Sequence, residues 1–161
     1  MSDQPTQAAA ALLGPGGQFE LGEADIRGVR LPIFRNAPNQ LRDLYQSALE
    51  YADETFYVYE GERYTFAEAW EQAQHVAAAL QAMGVAPGDR VGISLRNYPE
   101  WPWAFMGITA MGAVAVAMNA WWSGEEMVYG IEDSGMHTLF VDRERLERLA
   151  PYLDERALNV I

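Results

Sequence analysis

Between residues 65 and 142 the chain passes three times from a helical pattern to a short apolar run, and this alternation narrows its fold more than any other feature. The spacing predicts a helix over 65–84 leading to a strand over 91–95, and a helix over 101–112 leading to a strand over 114–118. A third helix, over 124–133, leads to a strand over 138–141. A further helical stretch over 143–153 runs into the apolar residues 158–161. Parallel strands need crossover connections, so such alternation specifies an α/β fold: a parallel sheet with helices on both faces. Folds of this class bind ligands on loops at the carboxyl ends of their strands. Because the last apolar run closes with no turn, we expect an incomplete lobe of a larger fold.

Local signals sharpen the outline. Thr65 and Glu68 form a T-x-x-E capping box, and Phe66, Ala69, Trp70, Ala73, Val76, Ala77, Leu80 and Met83 follow on one helical face. Gly84 supplies a left-handed stop, and Pro87-Gly88 suits the centre of a type II turn. Ser123 and Glu126 repeat the capping box, with Gly135 as the stop. Upstream, residues 1–18 are rich in Ala, Gln, Gly and Pro and read as a mobile tail, and residues 19–40 as a wrapping arm. Residues 41–51 carry apolar positions at helical spacing, and 56–59 with 63–64 flank Glu60-Gly61-Glu62 as a short hairpin. The domain reading is therefore a tail over 1–18 and an α/β subdomain over 19–161.

Composition removes several kinds of chemistry. With 161 residues the chain can bury roughly 70% of its unfolded surface, enough for one core. Twenty-three acids against 11 bases give a formal charge of −12, which disfavours nucleic acid and anionic membrane surfaces as partners. There is no cysteine, so disulfides, thiolate nucleophiles and Cys-ligated metal are excluded, in agreement with a reducing, cytoplasmic setting. All 11 bases are arginine; the absence of lysine removes Schiff bases and phosphate-loop lysines. The early apolar run over 8–13 is too short and too acidic in its approach for a signal peptide. Between Glu100 and Glu125 no residue is charged and tryptophans stand at both ends, as in a membrane span. Pro102, Gly107, Gly112 and Asn119 interrupt that stretch, and a buried helix plus a buried strand accounts for it better.

Few residues offer a site. No G-x-G-x-x-G follows a strand, and Gly14-Pro15-Gly16-Gly17 precedes any strand. His75 and His137 have no companions at metal-ligand spacing, and the acidic pairs Glu125-Glu126 and Glu132-Asp133 read as solvated helix ends. Arg143, Arg145 and Arg148 alternate with Glu144 and Glu147 and read as an exposed, ion-paired helix face. The candidate site is Asn119, Ala120, Trp121 and Trp122, directly after the strand over 114–118. Two adjacent indoles on a carboxyl-edge loop could receive an acyl chain, a pantetheine arm or a base, or could pack over the sheet edge; both uses stay open.

The string from Tyr64 to Asp142 resembles the start of the AMP-forming adenylating enzymes, above all the fatty acyl-CoA ligases. The similarity is carried by Tyr64-Thr65-Phe66-Ala67-Glu68, by Gly84-Val85-Ala86-Pro87-Gly88-Asp89-Arg90-Val91 and by Asn97-Tyr98-Pro99-Glu100-Trp101. It continues through Gly112-Ala113-Val114, Met118-Asn119 and Ile131-Glu132-Asp133-Ser134-Gly135, in the family's order. The resemblance implies the N-terminal lobe of an adenylate-forming fold, in which ATP and Mg activate a small-molecule carboxylic acid and CoA, or a carrier-protein pantetheine, takes the acyl group. It implies also that the rest of such a ligase is this segment's partner. The family's phosphate loop, metal motif, ribose-binding acid and C-terminal lysine are all missing here, so the segment alone is expected to be inactive. The loop of residues 119–122 is expected near the CoA or acyl channel; relatives often carry small residues there, and Trp121 and Trp122 hint at a fatty or other bulky acid. Apolar strands that expect cover on both sides lead us to expect a homodimer or attachment to the remaining polypeptide. The alternative is a free-standing α/β binding module.

Overall fold

The computed structural model describes residues 4–153 and 157–161 and divides the chain into two compact units, Met1–Asn39 and Gln40–Ile161. In the first unit, helix α1 (Gln4–Leu13) precedes strands β1 (Leu21–Ile26) and β2 (Val29–Phe34). The stretch expected as a tail thus carries a helix, since four consecutive alanines followed by two leucines are strong helix formers. The expected arm is an antiparallel hairpin in which Ile26 pairs with Val29, and Arg27 and Gly28 both take positive φ at the turn. The division between compact units falls after residue 39, not at residue 18.

The second unit begins with α2 (Leu41–Ser47), a 3₁₀ turn over Ala48–Tyr51 and the hairpin β3 (Thr55–Tyr59) and β4 (Glu62–Thr65). Then come α3 (Phe66–Ala82), β5 (Arg90–Ser94), α4 (Glu100–Ala110), β6 (Val114–Ala117), α5 (Gly124–Ser134), β7 (Thr138–Val141), α6 (Arg143–Leu149) and β8 (Asn159–Val160). Both capping boxes form as the sequence requires: Thr65 caps α3 with Glu68, and Ser123 caps α5 with Glu126. Gly84 and Gly135 hold the left-handed stops. Helix α6 is shorter than the sequence pattern suggests. Pro151 lacks the N–H that would continue it, and the chain tightens into a 3₁₀ turn over Ala150–Tyr152.

Strands β5 to β8 form one parallel sheet in the order β6-β5-β7-β8, with helices on both faces. On one face Val91 and Ile93 of β5 meet Leu80 of α3 and Ala104 and Ile108 of α4. On the other, Leu139 of β7 meets Met127 and Ile131 of α5 and Leu149 of α6. Alternation along β5 explains the split. Val91 and Ile93 point one way, while Gly92 points the other and leaves room for the Met136 sulfur, which a Cβ there would approach to 2.3 Å. The uncharged stretch resolves into α4 and β6, and among the described residues no helix is long and apolar enough to cross a membrane.

Candidate functional site at the carboxyl edge of the sheet

The loop of residues 119–122 leaves β6 at the carboxyl edge, where the topology predicts ligand contacts. Its shape is set locally. The Asn119 side-chain oxygen accepts the Trp121 N–H at 2.9 Å, and the Asn119 carbonyl accepts the Trp122 N–H at 3.1 Å. The two indoles are consequently thrown to opposite fates. Trp122 packs into the second core cluster, against Gly130 of α5, where a Cβ would fall 2.7 Å from its ring. Trp121 is 75% exposed. The packing use and the binding use weighed for this pair therefore fall on different residues.

Arg96, two residues past β5, lies over the exposed indole with its guanidinium carbon 5.9 Å from the ring centroid. Arg96, Asn97, Tyr98, Ala120, Trp121, Tyr59 and Glu60 line a polar cavity of about 360 Å³. Beside it, sharing Tyr59 and Tyr98, opens an apolar cavity of about 630 Å³ floored by Leu95, Trp103, Ala104 and Phe140. A flat group could stack on Trp121 and an anionic one could meet Arg96; a bulky apolar group would find the neighbouring cavity.

The arginine-rich helix corrects the sequence reading. Arg145, expected on an exposed face, is 1% exposed. Its Nε donates to the Ala120 carbonyl at 2.8 Å, and its Nη1 donates to both carboxylate oxygens of Asp142 at 3.2 Å. Asp142 caps α6 through the Arg145 N–H at 3.1 Å and accepts the Arg96 N–H at 3.0 Å. Burial pushes the Asp142 pKa up, but these N–H donors and the Arg145 charge outweigh it and hold the carboxyl below its ordinary value. Arg148 donates to the carbonyls of Ala120 and Trp122 at 3.4 and 3.2 Å and pairs with Glu144. The signal for this cluster was present as D-x-x-R at a helix start, yet the charge alternation around it reads equally well as a solvated face. His75 and His137 are both exposed.

A parallel sheet covered on both faces, with an aromatic and cationic loop pair at its carboxyl edge, defines an α/β lobe of the kind found in adenylate-forming folds. Residues 44–161 match the AMP-binding enzyme family, and the chain belongs to that family, corresponding to its N-terminal part. A long-chain-fatty-acid–CoA ligase of Escherichia coli O157:H7 is 31% identical over 115 residues, 71% of this chain and 20% of the relative. The 4-coumarate–CoA ligase 3 of Oryza sativa subsp. japonica is 32% identical over 101 residues, 63% of this chain and 18% of the relative. Among solved structures, the anthranilate CoA ligase AuaEII in complex with anthranoyl-AMP superposes with a TM-score of 0.69 at 28% identity, covering 72% of this chain and 23% of that one. A benzoate CoA ligase from Burkholderia xenovorans LB400 gives 0.72 at 22%, covering 76% and 25%. The chain thus spans about a fifth of the length of the curated relatives it matches.

Proposed function

We propose that this chain is the N-terminal part of an ATP-dependent, AMP-forming acyl-CoA ligase acting on a fatty or other bulky carboxylic acid. The observation that carries the reading is the exposed Trp121 with Arg96 over it, at the carboxyl edge of a lobe whose relatives are named as acyl- and aryl-CoA ligases. Arg96, Asn97 and Trp121 fit a ligand that carries both a flat ring and anionic groups, which describes the nucleotide end of CoA. Its thiol would supply the acyl acceptor. Asn119 and Ala120 would shape the loop without touching the ligand's charge. The apolar cavity beside them supports a bulky acid over a small one.

The residues present do not fit an ATP–Mg site. The chain has no lysine to meet the phosphates, and among the described residues no group of three acids or histidines could hold a metal ion. Adenylate formation therefore depends on polypeptide outside this segment, and residues 1–161 alone catalyse neither half-reaction. The remainder of the ligase is its natural partner in the cytoplasm. Homodimerisation is a further expectation, since β6 is an edge strand with Val114 exposed.

ATP–pyrophosphate exchange on the 161-residue chain tests the division of labour. No exchange is expected with any fatty or aromatic acid, and acid-dependent exchange is expected once the complete polypeptide is used. Exchange by the short chain above blank would overturn the reading. Light scattering that gives a mass of 18.0 kDa at high concentration would remove the dimer.

A further inference from the structure

We propose that the buried pair Asp142–Arg145 is a positioning device that holds the Arg96–Trp121 stack together from beneath. The two stacked residues follow different strands, β5 and β6, and among the described residues no direct hydrogen bond joins the two loops. Both instead reach one ion pair at the β7–α6 corner, with Arg148 a second donor to the loop of residues 119–122. Asp142 takes the backbone N–H of Arg96, and Arg145 gives its Nε to the carbonyl of Ala120, the residue before Trp121. The double contact from Arg145 Nη1 to both Asp142 oxygens locks the two grips to each other.

The energetics favour geometry over stability as this pair's role. Arg145 is almost wholly buried, and its Nη2 has no hydrogen-bond partner among the described residues. Burying a guanidinium with an unmet donor is costly, and an apolar residue of similar volume often serves stability as well or better. What an apolar residue cannot do is present Nε to one loop and Nη1 to a carboxylate in a fixed fork. Lysine cannot do so either, because its single ammonium has no second arm.

The inference rests on the reading that the stack receives ligand, but its first test does not. The 161-residue chain labelled with 5-fluorotryptophan gives a resonance for each indole, with Trp121 assigned through Trp121→Phe and Trp70 serving as the report on folding. Arg145→Lys is expected to move the Trp121 resonance and leave Trp70 in place. Arg96→Gln should move it too, and the double variant should add little to either single change. Asp142→Asn, which keeps the shape while loosening the grip on Arg145, should move Trp121 in the same direction and covers the case in which Arg145→Lys fails to fold. A Trp121 resonance that stays put in a folded variant, or effects of Arg145→Lys and Arg96→Gln that simply add, would overturn the proposal. In the complete ligase, Arg145→Lys is expected to raise the KM for CoA about three- to tenfold with ATP–pyrophosphate exchange unchanged. If Trp121 moves and that KM does not, the positioning role stands and the assignment of CoA to this loop falls.

Discussion

Gly107 of α4 lies so close to Val76 of α3 that a Cβ at position 107 would fall 2.7 Å from the Val76 Cβ and 2.7 Å from the Ala73 carbonyl. The obstacle is partly backbone, so a rotamer change cannot clear it. Gly107→Ala would gain about 1 kcal/mol in helix propensity and lose about 1–3 kcal/mol to overpacking between the two helices. Overpacking is expected to win. Urea unfolding should show a lower midpoint for the variant, and a higher one would mean that the α3–α4 contact yields more readily than its geometry indicates.

The two capping boxes are independent of one another, standing at the starts of α3 and α5. Thr65→Ala and Ser123→Ala should each cost about 1 kcal/mol, and the double variant should cost the sum to within about 0.5 kcal/mol. Equilibrium denaturation of the three variants checks this. Strong non-additivity would show that the two helix starts are energetically coupled through the sheet between them.

Neighbouring tryptophans should behave oppositely. Trp121→Ala removes a side chain that is mostly in water and should change stability by less than about 0.5 kcal/mol. Trp122→Ala opens a hole over Met118 and Gly130 and should cost about 2–4 kcal/mol. Thermal melts of the pair separate the outcomes, and equal losses would contradict the division between a packed and a displayed indole.

Acid should loosen the corner that Asp142 holds. Its folded-state pKa lies below the ordinary value of 3.8, so its contribution is fully present above about pH 4 and is lost as the pH falls through the folded-state pKa. Stability measured from pH 5 downwards should fall more steeply in the parent chain than in Asp142→Asn, whose curve lacks this group's share. Parallel curves would show that the carboxylate carries no net preference for the folded state.

Much of the architecture was readable from the residues because its signals are local. Thr65 and Glu68 meet within one turn, as do Ser123 and Glu126, and Gly84 and Gly135 stop helices through their own backbone freedom. The parallel sheet followed from the periodicity of what lies between. The loop of residues 119–122 does follow β6 at the carboxyl edge, but which indole is displayed depends on Gly130, a helix residue that the pattern gave no reason to connect with Trp122. Arg145 was misread for the same reason: Asp142 lies one turn away, but the Ala120 carbonyl that buries the guanidinium arrives only when β6 and β7 flank β5. The helix over Gln4–Leu13 was hidden by the Gly and Pro residues that follow it.

The strand order carries a consequence for how the chain is made. β5 emerges first of the four parallel strands yet sits between two that emerge later, with Gly92 paired to Val116 on one side and Leu139 on the other. At a synthesis rate of roughly 5–20 residues per second, its second edge stays open on the ribosome for a few seconds after its own residues have appeared. During that interval α3 and α4 can already close over Val91 and Ile93, while the face that awaits Met136 and Leu139 is bare. Nascent chains of this lobe should therefore meet chaperones through the Gly92 side of β5, and release from them should coincide with the appearance of β7.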